Sequence, residues 1–121
     1  MAVSGAGKMD RGNAIEVHGL TKTFGKMMAV NKIELQIQEG ELFTFLGPNG
    51  AGKTTLIRLL TCLLKPSSGT ATVGGYDISI KPLQIRRMVG VVTQDPCLYL
   101  DLTGAENLQF FGRLYGVGKE Q

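Results

Sequence analysis

The 121-residue sequence predicts an α/β fold, and three observations carry that prediction. Two alternating segments near the N-terminus read as antiparallel strands. An almost wholly apolar run, Leu42–Leu46, then ends in a glycine-rich loop. Directly after that loop the apolar spacing changes to that of a helix. The length suits one domain with a modest core. Hydrophobic residues at 43% and charged residues at 19% exclude a disordered or fibrous chain. Cys62 and Cys97 are too few for a disulfide framework or a metal cluster, and the single histidine, His18, excludes a site built from several imidazoles. A net charge of +3 permits an anionic partner such as phosphate, nucleic acid or a membrane surface, without demanding one.

Residues 1–12 hold no apolar block and are expected to be a flexible tail rather than a secretory signal, leaving 13–121 as the folded part. Ala14–Leu20 alternates as a strand with Ile15, Val17 and Gly19 on one face. Val30–Ile37 alternates more cleanly, with Ile33, Leu35 and Ile37 opposite Glu34, Gln36 and Gln38. After the Glu39-Gly40 turn, Leu42–Leu46 predicts a strand buried on both faces. Lys53–Leu64 predicts a helix buried on most sides, ended by Lys65-Pro66. It falls short of the ~20 residues that a bilayer span requires. Thr70–Val73 predicts a short strand, Pro82–Met88 a weakly amphipathic helix, and Val89–Val92 another apolar strand. Thr103 and Glu106 form a capping box before a last helix, for which Gly116 is the expected stop. Phe110, Phe111 and Tyr115 are expected in the core, and Arg86-Arg87 on a solvated helix face.

The loop Gly47-Pro48-Asn49-Gly50-Ala51-Gly52-Lys53-Thr54 fits the phosphate-loop pattern G-x-x-x-x-G-K-S/T without a mismatch. Its glycines let backbone N–H groups converge on phosphate oxygens, and the helix that starts at Lys53 directs its positive end to the same point. Lys53 is placed to reach the β- and γ-phosphates, and the Thr54 hydroxyl to ligate Mg²⁺. A glycine-rich turn with a surface lysine is the bland alternative. The flanking apolar strand and apolar helix argue against it. Ser4-Gly5-Ala6-Gly7-Lys8 repeats part of the pattern but lacks the following Ser/Thr and a preceding strand, so it is expected to be tail.

Gly47–Thr55, followed by Leu56, resembles the Walker A segment of ABC-type ATP-binding domains. Leu20-Thr21-Lys22-Thr23-Phe24-Gly25 resembles the family's A-loop, which implies that Phe24 stacks on adenine. Val91-Val92-Thr93-Gln94 resembles the strand into the Q-loop, which implies that Gln94 touches Mg²⁺ and the attacking water. Leu64–Gly69 and Leu102–Leu108 resemble the drug-exporter branch, and the likeness runs from about Ala14 to Gly118. It implies a P-loop NTPase core with an N-terminal antiparallel β subdomain. It implies MgATP bound by Phe24, Gly47, Pro48, Asn49, Gly50, Ala51, Gly52, Lys53, Thr54 and Thr55. Lys53 and Gln94 would serve catalysis, and Thr54 and Gln94 the metal. The implied partners are a membrane-spanning transporter subunit, met through the loop after Gln94, and a second ATP-binding domain stacked head to tail. The implied location is peripheral, on the cytoplasmic face of the membrane, with no nucleic acid as partner.

Thr44 and Cys62 stand where relatives often have glycine. The family's domain is also longer, roughly 200–250 residues. No Walker B strand ending in Asp-Glu, LSGGQ-like signature or switch histidine is present in the sequence. The chain is therefore expected to be the N-terminal part of the domain, truncated before the Walker B strand, and to leave the 43–46 strand with an open edge. Nucleotide binding without turnover is the expected activity. The alternatives are a soluble ABC-type protein acting on ribosomes or DNA, a non-functional remnant, and a phosphate-loop kinase or GTPase. Phe24 and Gln94 argue against the last.

Overall fold

The computed structural model describes residues 2–4, 12–48, 50, 52–93, 95 and 97–118, the first three as backbone only. It divides into two compact units, Met1–Val89 and Gly90–Gln121.

The first unit is built on a long hairpin, β2 (Asn13–Phe24) and β3 (Met27–Gln38), with β5 (Ser68–Val73) and β6 (Tyr76–Asp77) completing an antiparallel sheet in the order β3-β2-β5-β6. The expected antiparallel β subdomain is this sheet. Both hairpin strands run further than alternation alone predicts, because each extends the other's ladder to the turn at Gly25-Lys26. In β3, Leu35 and Ile37 are buried and Ile33 half-buried, while Glu34 and Gln36 face out. The face of β2 differs from strict alternation. The register shifts between Val17 and Leu20, with Gly19 at φ 57°, so Leu20 rather than Gly19 follows Val17 into the core. His18 stays on the exposed side, 3.3 Å from Glu34.

A second, two-stranded sheet pairs β1 (Ala2–Ser4) antiparallel with β4 (Thr44–Leu46), Ala2 opposite Leu46. β1 falls within the stretch expected to be a tail, whose residues 5–11 lie outside the described residues. β4 is not buried on both faces, with Leu46 58% exposed, and Leu42, which lies before the strand, is 90% exposed. A strand is buried twice over only where neighbouring strands and covering layers flank it. Among the described residues β4 has β1 as its one ladder partner.

Helix α1 (Lys53–Leu60) is shorter than the apolar spacing to Leu64 suggests. Cys62 takes φ 59°, and Leu63 N–H donates to the Arg58 carbonyl at 2.8 Å while Cys62 N–H donates to Leu59 at 3.1 Å. That hydrogen-bonded reversal ends the helix four residues early. α1 buries one face only: Leu56, Leu59 and Leu60 enter the core, while Ile57 and Leu63 are exposed. Fully burying a leucine contributes about 1.5–3 kcal/mol, so Leu20, Leu56 and Leu59 are principal ties between sheet and helix. Ile85 of α2 (Pro82–Met88), which forms as predicted, joins the same cluster. Its neighbour Arg86 does more than face solvent, donating from Nη2 to the Cys62 carbonyl at 2.5 Å and so tying α2 to the turn that follows α1.

The strand expected at Val89–Val92 does not form: Val89 is the C-cap of α2, and in the second unit residues 90–93 are not in a strand, with Val92 98% exposed. An extended segment with no ladder partner carries its ordering cost without the hydrogen bonds that offset it. α3 (Gly104–Leu114) does form, with the Thr103–Glu106 capping box in place and Gly116 just beyond its end. Tyr115 is exposed rather than core, and Phe110 and Phe111 instead pack with Tyr99 at ring-centroid distances of 5.0 and 6.4 Å. No helix among the described residues is long and apolar enough to cross a membrane.

Candidate functional site

The strand β4 delivers the chain into the glycine-rich loop, and α1 leaves it. Gly52 is the N-cap of α1, at φ 83°, with no side chain capping the helix. A Cβ at this position would lie 2.2 Å from the carbonyl oxygen of Ala29. Strand β3 therefore backs directly onto the start of the helix, and only glycine fits there.

The first intrahelical bond runs from Leu56 N–H to the Gly52 carbonyl at 2.8 Å. The N–H groups of Lys53, Thr54 and Thr55 precede it and find no acceptor within the helix. No acidic residue occupies the first turn. Those amides and the helix dipole make the N-terminus an anion receptor. The Lys53 ammonium donates to the Gly47 carbonyl, so the lysine folds across the loop that its own helix follows. Thr54 is exposed beside it and Thr55 half-buried. Peptide N–H groups, an ammonium and hydroxyls form a donor set suited to a polyphosphate, and the Thr54 oxygen is of the type that a magnesium ion takes. Gly47, Pro48, Gly50, Gly52, Lys53, Thr54 and Thr55 thus lie along one loop and helix start. Asn49 and Ala51 lie outside the described residues.

Phe24 ends β2 at the hairpin tip, 44% exposed and paired with Met27. Met27 is two residues from Ala29, about 7 Å along a strand, so the ring belongs to the same hairpin that supports Gly52. Lys22 Nζ sits 5.2 Å from the centroid of the Phe24 ring. β2 is also fastened to the loop after α1, through Ser67 N–H to the Thr21 carbonyl at 2.9 Å and Thr23 N–H to Ser67 Oγ at 3.1 Å. The structure therefore brings Phe24 and the phosphate loop into one unit. Gln94 lies outside the described residues.

Three contributors escaped sequence reasoning. Ala29 acts through its carbonyl, which no side-chain pattern reports. Cys62 closes α1 in a glycine-like conformation. Lys22 was legible in principle, since residues two apart on a strand share a face. Burial pushes the Cys62 thiol up from its ordinary value, against the Arg86 guanidinium, which draws it down. The thiol is not part of the loop's chemistry.

The ABC transporter family model matches residues 30–121. The doxorubicin resistance ATP-binding protein DrrA of Mycobacterium tuberculosis is 40% identical over 108 residues, covering 88% of this chain and 33% of the relative. The daunorubicin/doxorubicin resistance ATP-binding protein DrrA of Streptomyces peucetius is 45% identical over 103 residues, covering 85% and 31%. The chain thus spans about a third of the length of these curated relatives. Their names agree with the drug-exporter likeness of residues 64–69 and 102–108. Among solved structures, an ATP-binding subunit of an ABC transporter superposes with a TM-score of 0.74 at 28% identity, covering 88% of this chain and 45% of that one. Sequence, fold and loop geometry agree: the chain belongs to the ABC transporter family.

Proposed function

We propose that this chain binds MgATP as part of the nucleotide-binding component of an exporter, where hydrolysis is coupled to transport. The observation that supports this reading best is the start of α1: first-turn amides with no acceptor within the helix, no acidic side chain in that turn, and an ammonium already bent over the loop. In the bound state Lys53 exchanges the Gly47 carbonyl for phosphate oxygens, and Phe24 offers its exposed face to the base. Thr54 would hold a magnesium ion, which would supply positive charge beside the phosphates. Gln94 serves that metal and the attacking water. The residues after Gln94 meet a membrane-spanning subunit, and a second ATP-binding domain stacks on the phosphate loop. A position on the cytoplasmic face of the membrane is part of the same proposal.

Taken alone, the 121 residues bind without appreciable turnover, because no carboxylate corresponds to the Walker B glutamate and no signature motif is present. The test is equilibrium binding of MgATP to the purified chain and to Lys53→Ala. Removing a charged hydrogen-bond donor should weaken binding by about 1.5–3 kcal/mol. An unchanged affinity overturns the phosphate-loop assignment, and turnover that Lys53→Ala abolishes overturns the claim of binding alone.

A further inference from the structure

Lys22 and Phe24 lie two apart on β2 and project to one face. The Lys22 ammonium is held from two sides. It stands 5.2 Å from the Phe24 ring centroid, and it donates to the Lys65 carbonyl at 2.8 Å. Lys65 belongs to the loop that Ser67 fastens to Thr21 and Thr23, so the acceptor is itself anchored to β2. One face of the ring is therefore taken by the ammonium, while Phe24 as a residue is 44% exposed.

We infer that Lys22 is a positioning residue for the nucleotide base: it occupies one face of Phe24 and leaves the opposite face as the stacking platform. A cation is drawn to the negative face of an aromatic ring, and a ring so held resists turning edge-on to an incoming ligand. Electron density pulled toward the ammonium makes the far face less negative, which favours an electron-rich purine stacked upon it. Lys22 acts through Phe24, not on the phosphates. This inference rests on the reading of Phe24 as the base platform.

The experiment compares MgATP with magnesium tripolyphosphate, which carries the phosphates and no base, by calorimetry on the full 121-residue chain. Lys22→Met and Lys22→Gln remove the charge, Lys22→Arg restores it, and each is combined with Phe24→Ala. Removing the charge should weaken ATP binding about threefold to tenfold, the scale of a partly exposed cation–π contact. Tripolyphosphate affinity should stay unchanged, and Lys22→Arg should bind ATP as the parent chain does. In the Phe24→Ala background, loss of the charge should have no further effect. Equal losses for ATP and tripolyphosphate overturn the inference, since they mark Lys22 as a phosphate attractor. A loss that persists without the ring, or no loss at all, overturns it as well. If Phe24→Ala weakens ATP while the Lys22 variants are silent, only the inference fails. If Phe24→Ala leaves ATP affinity intact, the base-platform reading fails with it.

Discussion

Cys62 closes α1 with the same pair of hydrogen bonds by which Gly116 closes α3. In each case the closing residue has positive φ, 59° at Cys62 and 76° at Gly116. Its N–H donates to the carbonyl three residues back, and the next N–H donates to the carbonyl five residues before it: Leu63 to Arg58, Val117 to Gly112. One position has the residue that this conformation favours and the other does not.

The cysteine is therefore held at a cost. A side chain in the left-handed region loses about 1–2 kcal/mol, which here is offset by burial of the thiol and its contact with the Ile78 carbonyl at 3.6 Å. Cys62→Gly removes both cost and gain and should change stability little. Cys62→Ala keeps the strain and loses the sulfur, so it should be less stable than the glycine variant by about 1 kcal/mol. Denaturant melts of the two variants decide the order. An alanine variant at least as stable as glycine refutes the account. In the parent chain, exposed Cys97 should alkylate under native conditions while buried Cys62, its thiol pushed up by burial, reacts only on unfolding.

Gly52 and Gly50 both have positive φ, 83° and 86°, but only Gly52 meets a wall. Its Cβ would strike the Ala29 oxygen at 2.2 Å, whereas a Cβ on Gly50 meets nothing within 4 Å among the described residues. Gly50→Ala should cost about 1–2 kcal/mol for conformation alone. Gly52→Ala must also push α1 away from β3, and a total on the order of 3 kcal/mol or more is expected. Thermal unfolding of both variants tests the difference, and equal losses would show that Ala29 does not limit the start of the helix.

Local chemistry explains what was legible in the sequence. The Thr103–Glu106 box, the Pro82 start of α2 and the phosphate-loop pattern are each complete within a few residues, so the sequence alone points to them. The bulge at Gly19 depends on β3 and β5 pairing with β2 on both sides, a non-local condition. The strand expected at Val89–Val92 has the apolar residues but no ladder partner among the described residues, and Val89 instead caps α2. The early end of α1 is invisible to apolar spacing, which runs on to Leu64; the one hint was that Cys62 stands where relatives often have glycine. At the site, the motif located the loop and strand alternation could have pointed to Lys22, while the Ala29 carbonyl support needed coordinates.

Asn107 is the buried polar residue that organises the approach to α3. Its Oδ1 accepts from Tyr99 N–H at 2.9 Å, and its Nδ2 is shared among the carbonyls of Tyr99, Leu102 and Thr103 at 3.0 to 3.2 Å. Asn107→Ala strands these groups and should cost about 1–3 kcal/mol of local stability. Hydrogen exchange at the Tyr99 amide should accelerate about tenfold to a hundredfold. Unchanged exchange there would deny Asn107 this role.

Glu106 supplies the pH dependence of the same helix. The Thr103 hydroxyl and then the Thr103 N–H, both donating at 2.7 Å, hold its carboxyl below the ordinary glutamate value. A depressed folded value means that the cap is fully effective above the ordinary glutamate range. It is lost as pH falls through the depressed value, when the protonated carboxyl no longer accepts from both donors. Thr103→Val removes the hydroxyl, the larger of the two causes, and should move the Glu106 titration upward in a carboxyl NMR titration. Helicity of α3 should then begin to fall at a higher pH than in the parent chain. A titration that Thr103→Val leaves in place would mean that the hydroxyl is not what holds the Glu106 proton off.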